Sequence, residues 1–222
     1  MHILFFGDSI CVGQGVSIYK GWVTKLARYF DTYGRKTNIN FLVTNSSVNG
    51  RTTRQALEDM PYHIQAQEID ILVVQFGLND CNFWVTDGGL SRVSLGAYEE
   101  NLKEITVRAL NSGVKRVVLN SNHPTTRHVI LPSGVDCGYE ENNKKYCETV
   151  KKVADQFGDE VIFVDVYKYF EALKVEAFLS DDHLLEDGLH LSPKGHDLYF
   201  TLMRPVIERL VKECCVEVKG QK

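Results

Sequence analysis

The chain has 222 residues, 44% of them hydrophobic and 24% charged, the make-up of a soluble globular protein long enough to bury one large core. Its formal net charge of -4 gives no sign of a nucleic-acid surface or an anionic membrane as partner. No apolar run approaches the ~20 residues that a membrane-spanning helix needs, and no signal-peptide pattern opens the chain.

Six cysteines, Cys11, Cys81, Cys137, Cys147, Cys214 and Cys215, are scattered without a CxxC pair. With no export signal, they are expected to be reduced thiols of a cytoplasmic protein, and no spacing matches a four-ligand zinc site, so no metal is expected.

In chain order, Ile3-Leu4-Phe5-Phe6 reads as a first buried strand that breaks off in Gly7-Asp8-Ser9. Gly21 to Phe30 places Trp22, Leu26, Tyr29 and Phe30 at helical spacing. Asn40 to Val43 reads as a second strand, followed by the turn-rich segment Thr44 to Gly50. Ile71 to Phe76 is the clearest buried strand and ends in Gly77-Leu78-Asn79-Asp80. Tyr98 to Leu110 reads as a helix, Val114 to Asn120 as a fourth strand, and Tyr139 to Phe157 as a polar-faced helix. Val161 to Val164 gives a fifth strand, and Lys194 to Glu213 a closing helix with Leu198, Leu202, Val206, Ile207 and Leu210 on one face. Two connections, Cys81 to Val93 and Ser121 to Gly138, are longer than the topology demands, as functional loops often are.

Strands alternating with helices predict an α/β fold with a parallel sheet, and the absence of repeats or linkers predicts one domain over residues 1–222. In such an open sheet the ligand crevice lies beyond the carboxyl ends of the strands. Gly-Asp-Ser, Asn-Gly and Gly-Leu-Asn-Asp fall at three of those ends.

Ser9 alone reads equally as an N-cap or as a nucleophile. A nucleophile needs a base and a group to orient it, and Asp187-Gly188-Leu189-His190 supplies both: the carboxylate can hold Nδ1–H while Nε2 faces the hydroxyl. Taken alone, that segment also reads as a structural turn. Pro193 would start the last helix, with Ser192 as its cap. An attacked ester carbonyl needs donors for its oxyanion; the Ser9 N–H, the Gly50 N–H and the Asn79 carboxamide can provide them. Gly50 otherwise reads as a turn glycine and Asn79 as a helix cap.

These four blocks, in this order over nearly the whole chain, resemble the SGNH hydrolase superfamily, the GDSL-type esterases and lipases. The resemblance implies Ser9 as nucleophile, Asp187 and His190 as its triad partners, and Ser9, Gly50 and Asn79 as the oxyanion hole. It also implies a three-layer α/β/α domain with a flavodoxin-like sheet of order 2-1-3-4-5, and hydrolysis through an acyl-serine intermediate without metal or cofactor. Ile10 stands where leucine is expected, and Cys11 where small hydroxyl residues are common. Cys11 and Cys81 are expected to act as buried apolar filler.

Trp84, His123 and Arg127 are candidate substrate contacts, with His128 in the same loop as His123. His196, Asp8 and Asp165 are expected to be structural. The expected activity is cleavage of a small carboxylic ester, with short-acyl or carbohydrate O-acetyl esters favoured. The alternatives are a lysophospholipase or thioesterase of the same superfamily, an acyltransferase using the same residues, and a non-catalytic binding module on the same fold. The sequence marks no oligomeric interface.

Overall fold

The computed structural model describes residues 1–127, 137–175 and 181–220. Five parallel strands form one sheet: β1 (His2–Gly7), β2 (Leu42–Asn45), β3 (Ile71–Gln75), β4 (Arg116–Asn120) and β5 (Val161–Val164), in the order β2-β1-β3-β4-β5. The three central strands carry nearly continuous apolar runs because both of their faces are covered; every residue of β1 and β3 is buried. The edge strands β2 and β5 are shorter and only partly buried.

Among the described residues seven α-helices accompany the sheet: α1 (Ser9–Val12), α2 (Trp22–Thr37), α3 (Thr53–Met60), α4 (Leu95–Asn111), α5 (Tyr139–Ala154), α6 (Val166–Val175) and α7 (Pro193–Gly220). The crossover from β1 to β2 runs one way along the sheet, and those from β2 to β3 and onward run the other way. Right-handed crossovers therefore place α2 on one face and α3, α4 and α5 on the opposite face. The packing follows: α2 lies against α7, while α3 packs on α4 and α4 on α5. The result is a three-layer α/β/α sandwich. Because the chain reverses its direction of travel at β1 and β3, the crevice opens beyond the carboxyl ends of those two strands.

Trp22, Leu26 and Phe30 line the buried face of α2, as their helical spacing predicts. The Trp22 ring stacks on Tyr199 of α7 at 4.4 Å and meets Phe5 of β1 edge-on at 5.2 Å, tying α2 and α7 to the first strand.

The apolar pattern misplaces strand β2 and marks neither α3 nor α6. Strand β2 sits two residues later than the apolar pattern places it, because polar groups set its register: Leu42 N–H donates to the Met1 carbonyl, and Thr44 Oγ1 meets His2 Nε2 at 2.9 Å. Helix α3 is only eight residues long and is defined by a reciprocal capping box between Thr52 and Gln55, followed by Pro61. Helix α6 begins where Asp165 Oδ1 accepts the Lys168 N–H at 2.9 Å, the structural role expected of Asp165. Among the described residues no helix is long and apolar enough to cross a membrane.

Candidate active site

Strand β1 delivers Ser9 directly into the crevice. Asp8, with φ -110° and ψ -154°, is the N-cap of α1, and its Oδ1 accepts the Ile10 N–H at 2.9 Å. The capping role thus falls to Asp8, and Ser9, as the first helical residue, keeps its hydroxyl for another partner. Helix α1 is a single turn of four residues, so it orients Ser9 but contributes little dipole. Trp22 Nε1–H donates to the Ile10 carbonyl at 2.9 Å and holds that turn against α2. A Cβ on Gly7 would lie 2.7 Å from the Gln75 carbonyl oxygen and 2.8 Å from Cys11 Sγ, so only glycine lets β1 and β3 stay paired at this point.

The partner of Ser9 is His190. Its Nε2 lies 2.9 Å from Ser9 Oγ, and its Nδ1 lies 2.5 Å from Asp187 Oδ2. Asp187 Oδ1 also accepts the backbone N–H groups of Leu189 and His190, at 3.0 and 2.9 Å. Partial burial pushes the Asp187 carboxyl up, but the hydrogen bonds from the His190 ring and the two backbone groups outweigh it and leave the carboxyl below its ordinary range. The carboxylate therefore stays charged and can fix the imidazole with Nδ1 protonated and Nε2 free to accept a proton from Ser9. Ser192 caps α7 as expected, its Oγ accepting the Gly195 N–H at 3.3 Å, with Pro193 first in the helix.

A second network joins the other two block residues to Ser9. The Asn79 Nδ2–H donates to Asp8 Oδ2 at 3.3 Å, and Asn79 Oδ1 accepts from Arg92 Nη1 at 3.4 Å. The same Nη1 donates to the Gly50 carbonyl at 3.1 Å. Gly50 has φ +76°, which favours glycine, and its loop is tied to β1 by Ser46 N–H on the Phe5 carbonyl and Val48 N–H on the Gly7 carbonyl. Arg51, itself buried, braces that loop by donating to the Ser46 carbonyl at 2.8 Å, pairing with Asp59 at 2.9 Å and lying over the Phe6 ring.

Two buried carboxyls lie beneath this network. Burial pushes Asp8 up to about 7; hydrogen bonds from Ile10 and Asn79 act against the rise, and neighbouring Asp80 adds to it. Burial also pushes Asp80 up to about 6, against hydrogen bonds from the Thr53 hydroxyl and N–H and the nearby Arg92 charge.

The outlying candidates are placed differently from one another. Trp84 is 53% exposed at the tip of the 81–93 loop, with the Arg92 guanidinium 5.6 Å from its ring. Arg127 is half-buried over the Tyr139 ring, and Tyr139 Oη in turn donates to the Leu78 carbonyl at 2.6 Å, beside Asn79. His123 does not fit its expected place on a solvated loop: it is fully buried. Its Nε2 lies 2.8 Å from the Leu189 carbonyl, and burial holds the ring neutral with its pKa pushed down to about 3, so Nε2–H donates there. With Thr126 N–H on the Gly188 carbonyl at 2.9 Å, His123 holds the turn that carries Asp187 and His190. His128 lies outside the described residues.

Cys11 and Cys81 are buried thiols whose pKa burial raises well above the ordinary value, the inert filler expected of them. His196 is buried and accepts the Trp22 N–H at Nδ1, again a structural role. Asp8 lies within the first block, whereas the holding residues Arg51, Arg92 and Thr126 carry no chemistry-bearing pattern of their own. Only their place beside the four blocks could have marked them.

The sequence profile of the GDSL-like lipase/acylhydrolase family matches residues 5–198. A curated relative, the human isoamyl acetate-hydrolyzing esterase 1 homolog, is 29% identical over 221 residues, covering 95% of this chain and 82% of its own. Among solved structures, the acetyl xylan esterase AlAXEase superposes with a TM-score of 0.74 at 19% identity, over 93% of this chain and all of its own. A lipase/acylhydrolase from Enterococcus faecalis superposes with a TM-score of 0.72 at 24% identity, over 94% of this chain and 96% of its own. Those superpositions share the sheet order described above, and the profile spans all four blocks from Gly7-Asp8-Ser9 to Asp187-His190: the chain belongs to the GDSL-like lipase/acylhydrolase family.

Proposed function

We propose that the protein is a serine hydrolase that cleaves short-acyl carboxylic esters, acetyl esters above all, through an acyl-serine intermediate. The observation that carries the reading is the unbroken hydrogen-bonded line from Ser9 Oγ through His190 to Asp187. His190 Nε2 takes the Ser9 proton as Oγ attacks the ester carbonyl, and Asp187 steadies the imidazolium that forms. The oxyanion rests on the Ser9 N–H, the Gly50 N–H and the Asn79 Nδ2–H. His190 then returns the proton to the leaving alcohol, and water repeats the sequence on the acyl-serine to release the acid and regenerate Ser9.

Two similarities support the acetyl preference: the human relative is named as a homolog of an isoamyl acetate-hydrolyzing esterase, and AlAXEase is an acetyl xylan esterase. Trp84, exposed at the loop tip, is available as a wall for the alcohol or a sugar ring.

The test is hydrolysis of p-nitrophenyl acetate, butyrate and octanoate by the wild type and by Ser9→Ala. Turnover that falls with chain length and disappears in the variant supports the reading. A maximum at octanoate would shift it to a lysophospholipase or thioesterase, and equal turnover by Ser9→Ala would overturn the mechanism.

A further inference from the structure

The geometry points to Arg92 as a positioning residue that orients the Asn79 oxyanion donor and ties it to the Gly50 loop, an assignment that rests on the reading of Gly50 and Asn79 given above. Nη1 of Arg92 is a single nitrogen with two hydrogens, directed at the Gly50 carbonyl at 3.1 Å and Asn79 Oδ1 at 3.4 Å. Gly50 and Asn79 lie 42 and 13 positions from Arg92 in sequence, and one guanidinium spans both.

Each contact restrains a group beside the proposed oxyanion site. The carboxamide of Asn79 turns about a broad, roughly two-fold torsion, so its nitrogen and oxygen ends compete for the same places. Arg92 offers only donors and therefore demands Oδ1, while the Asp8 carboxyl oxygen at 3.3 Å takes Nδ2–H. Turning the amide over would set donor against donor at Arg92. One hydrogen of Nδ2 is then used on Asp8 and the other remains for the oxyanion. At Gly50 nothing lies within 4 Å of where a Cβ would stand. The bond from Arg92 to its carbonyl, together with Arg51 N–H on the Val48 carbonyl at 3.2 Å, holds the Gly50–Arg51 peptide and so restrains the backbone next to the Gly50 N–H.

Arg92 is itself held at the base of the long loop. Its N–H donates to the Asn82 carbonyl at 2.9 Å, Val93 N–H donates to the Asp80 carbonyl at 3.1 Å, and Phe83 and Ser91 form an antiparallel bridge just beyond. The Trp84 ring lies 5.6 Å from the guanidinium carbon. The extra length of the 81–93 loop thus returns the chain so that Arg92 reaches back across the crevice mouth to Gly50.

The experiment compares wild type, Arg92→Ala, Arg92→Lys and Ser9→Ala on p-nitrophenyl acetate. It adds inhibition by phenylboronic acid, which forms a tetrahedral anionic adduct on a serine and so reports on the oxyanion donors. Removing a donor directly lowers kcat by about 10²–10³-fold; loss of its holder is expected to lower kcat by ~10–100-fold. KM should stay within about threefold, phenylboronic acid should weaken in step with kcat, and the melting temperature should move little. Millimolar guanidinium ion should restore part of kcat to Arg92→Ala but not to Ser9→Ala. Arg92→Lys, a shorter side chain ending in a point charge, should fall between wild type and alanine. Unchanged kcat and boronic acid affinity in Arg92→Ala, or a loss confined to KM, would overturn the assignment while leaving the serine mechanism standing. A wild type without Ser9-dependent turnover would overturn the hydrolase reading itself, and this assignment with it.

Discussion

Nε2 of His190 lies 2.9 Å from Oγ of Ser9, although 181 residues separate the two in sequence. The contact exists because β1, which leads into Ser9, is an inner strand with its carboxyl end at the crevice, and the turn before α7 is held over that end. Four further donors set that turn: Leu185 N–H on the His190 carbonyl, Thr126 N–H on the Gly188 carbonyl, His123 Nε2–H on the Leu189 carbonyl, and Gly188 N–H on the Leu185 carbonyl.

Asp187→Asn tests what the carboxylate adds beyond its hydrogen bonds to the backbone. An amide can still accept the Leu189 or His190 N–H, but it cannot balance an imidazolium and need not hold the correct tautomer. The expected result is a fall in kcat of ~10³–10⁴-fold with little change in fold. Because the hydrogen bonds keep Asp187 below the ordinary carboxylate range, it stays ionised in mildly acid solution, so the acid limb of the wild-type pH–rate profile should not follow its titration. Steady-state kinetics and circular dichroism of the variant check the first point; a pH series on the wild type checks the second.

His123→Ala separates holding the catalytic turn from touching the substrate. Removing the ring leaves the Leu189 carbonyl without its donor and opens a void against Phe170, whose ring centroid lies 6.0 Å away. An unmet buried polar group costs ~1–3 kcal/mol of stability. Urea unfolding should show that loss, and kcat should fall severalfold as the His190 turn loosens. KM should hold, since a fully buried ring cannot line the substrate site. A raised KM with unchanged stability would instead return His123 to the substrate.

Much of this was legible in the sequence wherever short-range chemistry decides structure. The apolar runs of β1, β3 and β4 read as buried strands and are so, and the half-buried edge strand β5 falls on the four residues its pattern marks. The four blocks carry their chemistry in residue type and spacing, so Ser9, Gly50, Asn79, Asp187 and His190 could be named without coordinates. The rest depends on contacts between distant segments. Nothing local in Arg92 points to Gly50, 42 positions away, and a histidine in a polar segment reads as solvated until packing buries it, as it does His123. The register of β2 failed for the same reason: at an edge strand the apolar pattern is weak, and side-chain hydrogen bonds to β1 and α1 decide it.

Gly50→Ala should damage activity more than stability. At φ +76° an L-residue pays ~1–2 kcal/mol, but the added methyl meets nothing within 4 Å, so no packing is disturbed. The peptide can relieve the strain by rotating, which turns the neighbouring N–H away from the oxyanion. The expected outcome is a drop of ~10-fold or more in kcat with a melting temperature only a few degrees lower. Equal kcat in variant and wild type would remove Gly50 from the oxyanion hole.

Asp8→Asn should change how stability depends on pH. Burial raises the Asp8 carboxyl to about 7 in the folded protein, against an ordinary value near 3.9 for an unfolded chain. As pH rises from about 4, the unfolded chain gives up this proton first, so the group's contribution to stability, fully present at low pH, is lost progressively up to about pH 7 and then levels off. Asparagine cannot ionise, so that decline is absent from the variant. Relative to wild type, its melting temperature should therefore rise between pH 5 and 7, a difference that calorimetry at several pH values reads directly. The gain in stability comes with a loss in catalysis. One end of the new amide must still accept the Ile10 N–H, which leaves its NH₂ facing the Nδ2–H of Asn79, donor against donor. Asn79 is pushed from its place, and kcat should fall even under conditions where the variant is the more stable protein. Parallel melting curves for the two proteins across that range would show that Asp8 is already ionised in the fold.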